Sequence, residues 1–182
     1  MEHRFELPAS YKKWTWGLII AGLLALLYGF IMFHPFAHAG HGENTNSTRF
    51  WAVLLQNSLF FLLIVNASMF FVCITTLAMG GWQLAFRRVP EAISSVVPVL
   101  GIITFVILLA IVFGHRTDVY HWLDTEAVAN DKILKGKSGF LNPTFFIICS
   151  AVSITLWYLL GKKMRTLSLQ TDEAPMDYDT SK

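Results

Sequence analysis

Charge is scarce in this chain of 182 residues. Asp, Glu, Lys and Arg together make up 14%, against roughly 25% in a typical soluble domain. Cysteine is scarcer still. The two present, Cys73 and Cys149, sit inside apolar runs, where a free thiol behaves as a small hydrophobe. Two thiols build neither a disulfide framework nor a four-thiolate cluster site. There is no CxxC and no CxxCH, so no cofactor of the c-haem type is attached covalently here. The net charge of +2 comes without a basic face, and nucleic acid is excluded as a partner. Solenoid repeats and low-complexity tracts are also missing.

What remains is apolar. The set AVILMFWYC makes up 54% of the chain and the mean hydropathy is +0.52. In water such a composition exposes large apolar patches. The expectation is an all-α integral membrane protein with four transmembrane helices in one bundle. Four runs carry it: Trp14 to Phe33, Trp51 to about Met79, Ile93 to Phe113, and Phe145 to Leu160. None has Asp, Glu, Lys, Arg or His in its interior. Each approaches the roughly 20 residues that cross a hydrocarbon core. The second run exceeds that length and predicts tilt, or a helix projecting past the bilayer through Trp82 to Arg88. Pro90 suits the first turn of a new helix. Pro98, inside the third run, predicts a kink or a wider local gap.

Boundaries follow. Residues 1–13 read as an N-terminal segment, 14–161 as the transmembrane bundle with loops at 34–50 and 114–142, and 162–182 as a polar tail, mobile from Gln170. Lys12 and Lys13, an apolar stretch and Ala37-His38-Ala39 resemble a secretory signal with its cleavage site. That stretch is nearer 20 residues than the roughly 7–15 of a signal core, so the first helix is read as retained. Nine cations lie in the N-terminal segment, the second loop and the tail: Arg4, Lys12, Lys13, Arg87, Arg88, Lys162, Lys163, Arg165 and Lys182. Five lie in the other two loops: Arg49, Arg116, Lys132, Lys135 and Lys137. The bias places both termini in the cytoplasm and residues 114–142 on the opposite side, read as the periplasm. The six tryptophans agree, since all fall at or near span ends.

Chemistry-bearing residues are few. His34, His38 and His41 have helical spacing, but Pro35, Gly40 and Gly42 oppose a helix there. No carboxylate or thiol completes a ligand set, so no metal site is assigned. A haem would need facing axial ligands. Only His34 and His115, at the ends of the first and third runs, are placed for one, and the lack of a mid-membrane His disfavours a di-haem core. The second run carries Gln56, Asn57, Ser58, Asn66, Ser68, Thr75 and Thr76. These read as interhelical hydrogen-bond partners ahead of a hydrated path. Glu91, beside Arg87 and Arg88, reads as a helix-start carboxylate with a structural role, and as a candidate for proton uptake. His115, Arg116, Asp118, Tyr120, His121 and Asp124 follow the third run. Their groups suit docking on a partner first, and after that the binding of a quinol headgroup or proton exchange with it.

Four blocks then resemble one family. They are RFWAVLLQNSLFFLLIVNASMFFV (Arg49 to Val72), GWQLAFRRVPEAI (Gly81 to Ile93), YHWLD (Tyr120 to Asp124) and ILKGKSGFLNPTFF (Ile133 to Phe146). They look like the F subunit of bacterial alternative complex III, a quinol:electron-acceptor oxidoreductase. That subunit belongs to the NrfD/PsrC-like membrane proteins. The resemblance runs from about Arg49 to Leu169. It implies a subunit without its own redox centre, set among lipids beside a related NrfD-like membrane subunit that holds the quinol. An iron–sulfur subunit and a multi-haem cytochrome c subunit would carry the clusters and haems. The implied role is structural support and proton conduction; if this chain conducts, its own residues offer Glu91 at the cytoplasmic side, Asn66 in the middle and His115, Asp118 or His121 at the exit. Two departures stand out. Family members are considerably longer, so a second half is expected to be missing. Quinone-binding relatives carry an HxGRP-like motif where this chain reads His115-Arg116-Thr117-Asp118. Two other functions compete: a quinol-binding site on this chain, formed by His115, Arg116 and Tyr120, and an independent transporter or membrane scaffold.

Overall fold

The computed structural model describes residues 8–33, 45–78 and 81–173. Ala37–Ala39, the three loop histidines and residues 174–182 lie outside that set. Among the described residues every regular element is helical, and four helices are long and apolar enough to cross a membrane. The chain is a multi-pass membrane protein. It divides into two units at Ala52 and Val53, each taken by itself below.

The first unit holds α1 (Ala9–Phe33) and the opening turns of α2 (Thr45–Leu77). Gly29 is the one buried residue of α1, and the reason is a ring. A Cβ at Gly29 would lie 3.2 Å from Phe50 Cε2, so hydrogen at this position admits the aromatic side chain. Phe30 and Phe33 flank the same ring, each at 6.4 Å between centroids, and Trp51 meets it edge-on at 5.9 Å. Elsewhere α1 turns leucine and isoleucine outward along its length, with Leu18 and Ile31 each 70% exposed. A surface of that kind is stable only against lipid or another chain.

The second unit is built on the rest of α2, on α4 (Val97–Phe113) and on α7 (Pro143–Glu173). Leu55, Leu62, Val65, Val72 and Thr75 are buried along α2. They alternate by seven and three, the spacing of one apolar seam. On α4 the buried set is Val97, Gly101, Thr104, Ile107, Leu108, Ile111 and Val112, again one face at helical spacing. α4 packs against α7. Two polar links join the helices: Thr104 Oγ1 donates to the Ser58 carbonyl of α2 at 3.4 Å, and Cys73 Sγ of α2 to Met164 Sδ of α7 at 3.0 Å.

The projecting helix expected through Trp82 to Arg88 does not form. α2 ends at Leu77, before Gly80-Gly81, and residues 81–85 make a 3₁₀ turn. Trp82 and Phe86 fold back on Phe71, with centroids 6.2 and 6.4 Å away. The aromatic contact holds the turn. A short α3 (Arg88–Ser94) follows, with Pro90 in its first turn as expected.

At Pro98 the helix stops and restarts: α3 ends, residues 95–96 turn, and α4 begins with Pro98 in its opening positions. Proline offers no N–H to the Ser94 carbonyl. Both serine hydroxyls bond locally instead, Ser94 Oγ to the Glu91 carbonyl at 2.9 Å and Ser95 Oγ to that of Ala92 at 2.6 Å. Such side-chain bonds compete with the helix ladder.

Residues 114–142, read from sequence as a loop, contain a 3₁₀ turn (His121–Leu123), α5 (Thr125–Asn130) and α6 (Lys132–Lys137). The starts of α5, α6 and α7 share one cause. Asp124 Oδ1 accepts from the N–H of Glu126 at 2.9 Å, Asp131 Oδ1 from Ile133 at 2.7 Å, and Asn142 Oδ1 from Phe145 at 2.8 Å, the last opening α7. These are N-caps, which satisfy N–H groups that the helix itself leaves unpaired. α7 also outruns the fourth apolar run by a dozen residues or so, on to Glu173, so the segment read as a tail begins as helix.

Candidate functional site

The polar residues of α2 mostly serve their own helix. Asn57 Nδ2 donates to the Val53 carbonyl at 2.8 Å, Ser58 Oγ to Leu55 at 2.9 Å, Ser68 Oγ to Ile64 at 3.2 Å, Thr75 Oγ1 to Phe71 at 2.7 Å and Thr76 Oγ1 to Val72 at 2.7 Å. In these five the acceptor is the carbonyl three or four residues back. Asn66 differs. Its amide nitrogen and oxygen are both buried and neither has a hydrogen-bond partner. It lies 11 residues before the end of α2, about 16 Å along the axis. A buried amide without partners requires water or an incoming polar group.

Glu91 is buried at the start of the third apolar stretch. Arg87 Nε meets its Oε1 at 2.8 Å and an Arg88 guanidinium nitrogen meets its Oε2 at 3.0 Å. The Glu91 and Arg87 side chains are 8% and 19% exposed, that of Arg88 48%. Helical spacing of three and four residues makes this possible, since both arginines then face the same carboxylate. The pairing expected from sequence forms, with both arginines together.

The segment after α4 scatters its candidates. α4 closes in a Schellman motif: the His115 N–H bonds the Val112 carbonyl at 3.2 Å and the Arg116 N–H that of Ile111 at 3.1 Å. The motif needs a left-handed residue, and His115 supplies it with φ 45° while Gly114 stays at φ −74°. The His115 side chain is exposed; that of Arg116 is buried, and Arg116 and Asp118 both have partners. His121 is exposed, with Nδ1 3.3 Å from the Thr117 carbonyl oxygen. A left-handed imidazole-bearing residue costs roughly 1–2 kcal/mol against glycine, part of which glycine loses again in the unfolded chain. His115→Gly is therefore expected to stabilise the fold by up to about 1 kcal/mol, read as a higher midpoint of thermal unfolding. A lower midpoint would mean that the side chain makes a contact worth more than the strain.

Tyr120 is packed into a ring cluster. Its centroid lies 5.5 Å from Trp122 and 5.5 Å from Phe146, and those two are 5.3 Å apart. The cluster ties residues 120–122 to the first turn of α7. Burial raises the Tyr120 phenol above its usual 10.0. As pH climbs, the unfolded phenol ionises first. Stability from the neutral ring is thus complete below about pH 10 and is lost as pH rises through the folded pKa. Tyr120→Phe is expected to remove that part of the alkaline destabilisation, measured as unfolding midpoint against pH from 9 upward (roughly the onset of phenol ionisation). An unchanged profile would put the alkaline loss elsewhere.

Sequence reasoning passed over the capping roles of Asp124, Asp131 and Asn142, although the run Asn-Asp-Lys-Ile-Leu was there to be read. It also took Lys162 and Arg165 for topology markers alone. Among the described residues no group of three His, Cys, Asp or Glu is placed to hold a metal ion. No family model, no curated protein and no solved structure matches this chain.

Proposed function

We propose that this chain is a membrane subunit, without a redox centre of its own, of a quinol:electron-acceptor oxidoreductase in a bacterial cytoplasmic membrane. Its work there is to anchor partner subunits and to guide protons. The observation that carries the reading is the ordered set of four sequence blocks that resemble the F subunit of alternative complex III. Two features of the fold support it. α1 buries a single residue and offers the rest of its apolar surface to lipid or to a neighbouring subunit. Asn66 supplies a buried polar group in mid-span, where a proton path needs water or a hydrogen-bond partner. Glu91 stands at the side with more cations, and His115, Asp118 and His121 follow the far end of α4. A quinol pocket on this chain has less support, because His115 is exposed, Arg116 buried and Tyr120 enclosed by rings. Quinol, iron–sulfur clusters and haem c then belong to the partners.

The test is to purify the native assembly through a tag on this chain. Its reduced-minus-oxidised spectrum is recorded and its polypeptides are identified by mass spectrometry. A c-type haem spectrum with iron–sulfur and NrfD-like polypeptides is expected. A colourless preparation of this chain alone, from membranes solubilised mildly enough to keep known complexes whole, would overturn the proposal in favour of an independent transporter or scaffold.

A further inference from the structure

The α3–α4 break does more than interrupt a helix. Between it and α7 lies a cavity of about 210 Å³, lined by Ser94, Ser95, Pro98, Trp157, Lys162 and Arg165 among others. At about 30 Å³ per water, that is space for about seven waters, or for a phosphodiester with the start of its glycerol. Among the described residues no carboxylate lines it. Glu91 lines an adjoining depression that shares Ser94, Gly161 and Arg165. Both Glu91 oxygens are already held by Arg87 and Arg88. Among the described residues Lys162 and Arg165 therefore have no carboxylate partner. The Lys162 ammonium lies over the face of Tyr158, 5.9 Å from the ring centroid.

Position selects the kind of anion. Trp157 and Tyr158 stand where the apolar run of α7 gives way to Lys162, Lys163 and Arg165, an order that marks headgroup depth. On the membrane side of Lys162, within two turns of it, Leu156, Leu159 and Leu160 are half exposed, as acyl chains would require. The cavity itself combines Lys162 and Arg165 with the apolar groups of Val97, Pro98 and Trp157. We propose that it binds the phosphate of an anionic phospholipid, with Lys162 and Arg165 as the two cations that hold it. This inference is independent of the respiratory reading.

The experiment compares the full chain with Lys162→Gln/Arg165→Gln and with a control pair of equal charge loss, Lys132→Gln/Lys135→Gln on α6. Each is offered phosphatidylglycerol, phosphatidylcholine or inorganic phosphate in detergent. Lipid retained is counted by native mass spectrometry, and protection is followed by thermal unfolding. The wild-type chain is expected to retain phosphatidylglycerol over phosphatidylcholine. The cavity pair should lower that retention roughly 30-fold, and the control pair should leave it unchanged. Swapping the charges as Lys162→Arg/Arg165→Lys should preserve retention, which separates lost charge from lost fold. Equal retention of the two lipids, or undiminished retention by the glutamine pair, would overturn the proposal. So would protection by inorganic phosphate alone as large as that by the lipid, because the occupant would then be a soluble anion.

Discussion

Gly101→Leu is expected to force α4 away from α7 and to cost about 2–3 kcal/mol or more. Gly101 is buried at their crossing, and a Cβ built there would sit 2.6 Å from Ile154 Cγ2. Carbon atoms prefer about 3.5–4.0 Å, and the obstructing atom is a methyl on a branched Cβ that cannot swing aside as a long chain would. Two effects oppose each other in the milder Gly101→Ala. Helix propensity gains up to about 1 kcal/mol, while the overlap costs about 1–3 kcal/mol, so a small net loss is expected. In leucine the overlap dominates. The unfolding midpoint in detergent measures both, and Ile154→Ala should restore part of the Gly101→Leu loss by vacating the contact. Wild-type stability in the leucine variant would mean that the two helices do not approach as closely as described.

Removing the Glu91 carboxylate is the second large change. Breaking a buried ion pair by deleting one partner costs about 3–5 kcal/mol, but Arg88 is half exposed and its share is screened. For Glu91→Ala the expected loss is about 2–3 kcal/mol, chiefly from leaving the mostly buried Arg87 guanidinium without its acceptor. Glu91→Gln keeps the shape and one acceptor oxygen, and should lose less. Arg88→Gln, at the exposed arm, should cost under about 1 kcal/mol. A stability series in the order Glu91→Ala, Glu91→Gln, Arg88→Gln is thus expected, and equal losses for all three would deny Glu91 its central place. In an assembled complex the Gln variant also tests proton guidance. Unchanged proton release per electron would take Glu91 out of the path while leaving its structural role intact.

The two perturbations act on different links of the fold. Gly101 decides how near two helices come, a matter of volume. Glu91 decides how a short helix of seven residues is anchored beside a helix break, a matter of charge. α3 is too short to be stable by propensity, so the two ion pairs across its first turn and the packing of its buried residue hold it.

The amino-acid sequence by itself determined that the chain is helical, that it crosses a membrane, and nearly where it does so. In lipid only a helix or a closed barrel satisfies the backbone, and continuous apolar runs near 20 residues, without the alternation of barrel strands, choose the helix. The start of α3 near Pro90 and the Glu91 pairing were legible for a similar reason, being set by neighbours three and four residues away. Tertiary structure decided the rest. Whether the polar row of α2 faces other helices or its own carbonyls depends on which acceptor is nearest in space. Asn66 emerged from that row only because its surroundings leave it without a partner. Lys162 and Arg165 share a cavity with Ser94 and Ser95 across more than sixty residues of chain. No local pattern encodes such a meeting, because it is produced by the close approach of α4 to α7 at Gly101.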